Sequence, residues 1–116
     1  MQPIDIAKAV ECLGGESVFE ITVEAFLEET DGMMASLSEA VDSGDFSLIK
    51  EKAHWIKGGL DYLHAKPSTE AARNLEFAAK AEDLSKVRGA YEVLNLEVAK
   101  LKNALRERGH SSVRSA

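Results

Sequence analysis

The chain has 116 residues, 45% of them hydrophobic, and a net charge of −6, a size that fits one domain able to bury a core without a structural metal. Its single cysteine, Cys12, excludes an internal disulfide, and the acidic balance speaks against general nucleic-acid affinity, which needs a basic surplus. No apolar run approaches the ~20 residues of a membrane span and no charged-then-apolar leader opens the chain, so the expectation is a cytoplasmic monomer with no membrane contact, whose partners are proteins or small molecules.

No stretch alternates apolar with polar residues long enough for a strand, and the periodicities are helical. A short helix is expected from about Ile4 to Cys12, lidding one end of a bundle and closed at Leu13-Gly14-Gly15, where paired glycines supply left-handed conformations. The second runs from about Ser17 to Val41, with Phe19, Val23, Phe26, Met33, Leu37 and Val41 as its apolar stripe. Its acidic residues Glu20, Glu24, Glu28, Glu29 and Asp31 mostly fall off that stripe. Asp42-Ser43-Gly44-Asp45 breaks the pattern, and Asp45 is placed to cap a third helix that buries Phe46, Ile49, Ala53, Ile56, Leu60 and Leu63. Lys66-Pro67-Ser68-Thr69 ends that helix and starts a fourth, about Ser68 to Glu82, whose alanines let neighbouring helices approach closely. Asp83 caps the fifth, in which Val87, Tyr91, Leu94, Val98, Leu101 and Leu105 recur at three- and four-residue steps. The fold class is all-α: an up-down-up-down four-helix bundle over residues 1–108 with a short additional N-terminal helix, followed by a tail, 109–116, without a core-facing pattern.

His54 stands out on the third helix. At about 100° per residue it points roughly 130° away from the mean direction of that helix's apolar residues, so it faces water and is not a core histidine. Lys50, Lys57, Gly58 and Asp61 share the outer half of the helix, while Trp55 projects from its other flank. Adjacent glycines inside a helix each cost about 0.5 to 1 kcal/mol relative to alanine, so Gly58-Gly59 calls for a reason. Gly58, one turn beyond His54, leaves room for another protein's backbone beside the imidazole; Gly59 serves either the same approach or tight helix packing. A neutral imidazole, with an ordinary pKa near ~6.5, is a nucleophile that can carry a phosphoryl group on nitrogen. Lys57 is placed to neutralise phosphoryl oxygens, Lys50 adds longer-range attraction, and loose phosphoryl transfer asks mainly for alignment and charge stabilisation.

Ala53, His54, Ile56, Lys57, Gly58, Gly59, Leu63 and Ala65, set within this helix order, resemble the motif of the histidine-containing phosphotransfer (HPt) domain family of two-component phosphorelays. The resemblance spans about Ile4 to Leu105. It implies that His54 takes a phosphoryl group from a receiver-domain aspartyl phosphate and passes it to another receiver, with Lys57 steadying the phosphoryl oxygens and Gly58 giving the receiver room. It also implies response-regulator receiver domains or a hybrid histidine kinase as partners, Mg2+ on the receiver, and no cofactor on this chain. Three residues depart from the family pattern: Trp55 follows the histidine, Asp61 replaces a small or neutral residue, and His64 stands where glycine is usual near the helix end. Trp55 is either a docking anchor or a cover over a gap. Asp61 is a solvated charge, a partner for Lys57, or a contact for a partner's basic residue. His64 is read as a polar residue at the end of the helix.

Two other classes compete. Glu51-x-x-His54 and, more loosely, Asp61-x-x-His64 echo the spacing of metal-binding bundles, but such sites project inward, whereas Glu51 and His54 face water beside lysines. One cysteine and scattered histidines give zinc no better support. The other alternative is a receiver-binding helical module that relays no phosphate. No glycine-rich nucleotide loop is present, so autonomous kinase activity is not expected.

Overall fold

The computed structural model describes residues 2–115, with side chains described through position 107. Among the described residues five helices in chain order, α1 (Ile6–Leu13), α2 (Glu16–Ser43), α3 (Phe46–Tyr62), α4 (Lys66–Lys80) and α5 (Leu84–Ser115), make an all-α bundle with an extra N-terminal helix, as expected. α3 packs on α4, α4 on α5, α2 closes the ring against both α3 and α5, and α1 lies on α2. No helix among the described residues is long and apolar enough to cross a membrane.

Local chemistry sets the boundaries. α1 begins later than Ile4 because Asp5 is its N-cap, with Oδ1 accepting the Lys8 N–H at 3.1 Å; Ile4 is nevertheless buried. Asp45 caps α3 through the Leu48 N–H, and Asp83 receives the Lys86 N–H in the first turn of α5, both at 3.1 Å. Helix α3 stops at Tyr62, earlier than the Lys66-Pro67 signal suggested, because His64 takes a left-handed φ of 57° and turns the chain. Its N–H reaches back to the Asp61 carbonyl and its own carbonyl accepts the Asp5 N–H. That conformation gives the physical reason for a usual glycine at this point, and His64 fills it at some conformational cost. Lys66 and Pro67 then form the first turn of α4, where a missing N–H loses no intrahelical bond. The backbone of α5 is helical to Ser115; the side chains of the segment expected as a tail, 109–116, lie outside the described residues.

One core runs the length of the ring, with Phe19, Leu37, Ile49, Leu60, Leu63, Leu75, Leu94 and Leu101 fully buried. In α4, Ala71, Ala72, Ala78 and Ala79 are buried beside Leu75, so α4 sits close to both neighbours. Val23, Phe26 and Met33 of the α2 stripe are only partly covered, which leaves the α2–α3 junction open toward solvent.

Candidate functional site

Ile49, Ala53, Ile56 and Leu60 hold α3 against the core, so the helical repeat turns His54 outward, with its side chain 69% exposed. Its Nδ1 lies 3.2 Å from Oε2 of Glu76 on α4, and the Lys57 ammonium donates to Oε1 of the same carboxylate at 2.8 Å. Glu76 is the functional residue that sequence reasoning missed. Burial alone would push its carboxyl up, but the hydrogen bonds from Lys57 and His54, with the charges behind them, outweigh burial and hold it below its ordinary 4.5.

An ionised carboxylate can only accept hydrogen bonds, so the His54 nitrogen facing it must be the donor. The neutral ring therefore carries its proton on Nδ1, and the lone pair stands on Nε2, turned away from Glu76. Fixing one ring nitrogen fixes the chemistry of the other. Lys57, expected to be exposed, is largely covered because its stem crosses the seam to Glu76. Its ammonium is accordingly engaged by Glu76 and not by Asp61, which is exposed in a polar depression with His64, Lys66 and Arg73. Lys50 is exposed one turn before His54.

On the other flank of α3, a groove of about 320 Å³ opens between α2 and α3. Phe26 and Met33 form its α2 side, Trp55 and Tyr62 stand as walls along α3, and Gly58 and Gly59 lie between them. Trp55 is 67% exposed and Tyr62 63% exposed, so Trp55 walls an open groove and does not plug a gap. A Cβ added to Gly58 or Gly59 would meet nothing within 4 Å, which removes tight helix packing as the reason for Gly59. Both glycines border open space. Among the described residues, no group of three or more His, Cys, Asp and Glu is arranged to hold a metal ion, and Glu51-x-x-His54 gathers no such set.

The family model of the Hpt domain matches residues 22–104. The chain belongs to the Hpt family. Comparison with curated proteins and with solved structures gave no match. Hpt domains carry phosphoryl groups on histidine in two-component phosphorelays, interact with receiver domains and histidine kinases, and are phosphocarriers without kinase activity of their own. In this Hpt domain the matched segment contains α3, α4 and the His54–Glu76–Lys57 cluster, and it excludes α1.

Proposed function

We propose that His54 is the phosphorylated residue of a relay step, accepting from the aspartyl phosphate of one receiver domain and donating to the aspartate of another. In the first transfer the Nε2 lone pair forms the N–P bond as the aspartyl O–P bond breaks, and the electron pair leaves with the aspartate carboxylate. The Nδ1 proton stays on the ring, held by Glu76, which stabilises the positive charge the ring acquires. Lys57 turns from Glu76 toward the phosphoryl oxygens. Lys50 adds attraction from one turn away, and Mg2+ belongs to the receiver. The second transfer reverses these events with a new aspartate. Trp55, Gly58, Gly59 and Asp61 belong to the receiver's docking face, with the bare glycine backbone admitting it beside the imidazole.

The observation that carries this reading is the His54 ring, exposed and paired through Nδ1 with Glu76, which leaves Nε2 free toward solvent. Incubation with a receiver domain phosphorylated by acetyl phosphate should give acid-labile, base-stable label on the chain. Label should vanish in His54→Gln and persist in His64→Gln. The opposite pattern moves the site to His64, and an unlabelled wild type that still binds the receiver leaves a docking module without relay.

A further inference from the structure

Helices α4 and α5 present solvent with an apolar surface that the phosphoryl site does not use. Phe77 is 59% exposed, Val93 51% and Leu96 56%. Asn74 and Val93 line one depression between the two helices, together with Glu70, Glu97 and Lys100, so these side chains share a face. Phe77 stands seven residues after Glu70, and Leu96 three after Val93, which puts both on that outer side. Gly89, one turn before Val93, adds a bare stretch in mid-helix. A Cβ there would meet nothing within 4 Å, so packing inside the bundle does not ask for the glycine. The ring runs α2, α3, α4, α5, so this face lies across the bundle from the α2–α3 groove.

The charges on the face are ordered along it. On α5, Lys86 and Glu97 are centred between Tyr91 and Glu92, and Glu82, in the turn before the helix, is centred with Lys100 on Tyr91. On α4, Glu70 and Lys80 are centred on Leu75. The helices run antiparallel, and the depression sets Asn74 beside Val93, so all three centres stand at nearly one height. Each of the three pairs joins opposite signs. Five of the six side chains are exposed; Glu97 is partly covered, 3.4 Å from Lys100.

This is the pattern of a surface complementary to itself. A half-turn about an axis at that height, crossing both helices in the plane of the face, lays α4 on α4 and α5 on α5, each pair antiparallel. Glu70 then faces the partner's Lys80, Lys86 faces the partner's Glu97, and Glu82 faces the partner's Lys100. Near the axis Phe77 is covered, and the partner's Val93 comes down on Gly89 and Ala90. An axis parallel to the helices would instead set Glu70 over the partner's Glu97 and Lys80 over the partner's Lys86, and like charges so placed repel.

We infer that the α4–α5 face pairs this chain with a second copy of itself in a closed, antiparallel two-fold dimer, in which neither α3 nor the α2–α3 groove enters the interface. This departs from the monomer expected of the sequence. The 15 residues of α4 span about 22 Å and the bundle is 22 Å across, so the face covers about 500 Å² per copy, roughly 1,000 Å² in total. Interfaces of that size belong to weak, reversible pairs.

Sedimentation equilibrium from about 20 μM to about 1 mM tests the pairing over the range where so small an interface associates. The wild-type mass should climb from one chain toward two, while Phe77→Asp stays at one chain throughout. Lys86→Glu and Glu97→Lys should each weaken association about tenfold at low salt, because each sets like charges together on both sides of the axis. Mixing these two variants, or combining both changes in one chain, should restore wild-type association, since opposite signs then face each other again. Circular dichroism checks that every variant keeps its helicity. A wild type that stays at one chain at the highest concentration overturns the dimer, as does association that survives Phe77→Asp. A mass that grows past two chains overturns the closed pair. A mixture that associates no better than its components overturns the antiparallel setting.

Discussion

Glu76 sets two properties of the site with one carboxylate: which nitrogen of His54 is free, and where Lys57 rests. Glu76→Gln removes the charge but keeps the size, so the ring loses its reason to keep the proton on Nδ1. Nitrogen NMR should then show a larger share of the Nε2–H tautomer, and phosphoryl uptake should slow by about tenfold, as is common when an orienting partner of a reactive histidine is lost. An unaltered tautomer ratio would show that Glu76 does not orient the ring. His54 was legible in the sequence, because three- and four-residue spacing on one helix is enough to turn a side chain outward. Glu76 was not, because it lies 22 residues away on another helix, inside an alanine-rich stretch that reads as packing. Its only advance signal was its register on α4, which acquires meaning once α3 and α4 are known to be neighbours.

At the scale of elements, the caps carried most of the information. Asp45 and Asp83 mark helix starts because a short carboxylate reaches an N–H three residues on, and the structure uses both in that way. The end of α3 was misplaced because a histidine in left-handed geometry leaves no mark as plain as a glycine would. The Gly58-Gly59 pair works in the opposite sense, weakening α3 where an added methyl would touch nothing. Gly58→Ala and Gly59→Ala should therefore each raise stability by about 0.5 to 1 kcal/mol, read from the denaturant midpoint. Gly58→Leu should hold helicity yet slow transfer from a receiver, and an undiminished transfer rate would remove the docking explanation for that position.

Across the whole molecule, two carboxylates tie helices together and respond to acid. Asp31 on α2 is held below its ordinary 3.8 by its hydrogen bond to Lys102 on α5 and by that lysine's charge; Glu76 spans α4 to α3 and is held below 4.5. Both folded values lie under the unfolded ones, so their stabilisation is complete above the unfolded values and is lost as pH falls through the folded ones. Asp31 is mostly exposed, so solvent and salt leave it the smaller share. A urea midpoint followed from about pH 7 to about pH 2 should drop on the acid side, and Glu76→Gln should flatten that drop; parallel curves would show that the pair does not couple to folding. The bundle order was readable in advance because short turns between long amphipathic helices force neighbours to run antiparallel. The partly covered α2–α3 junction was not, since an apolar stripe says that a face is buried without saying how completely. That openness has a temporal side. His54 stands on an outer seam, with its ring 69% exposed, so a phosphoryl group on it would sit in water from the moment the donor departs. On the relay proposed for His54, the lifetime of the charged carrier would be a race between hydrolysis and the arrival of the next partner, and the abundance of that partner would become the clock of the signal.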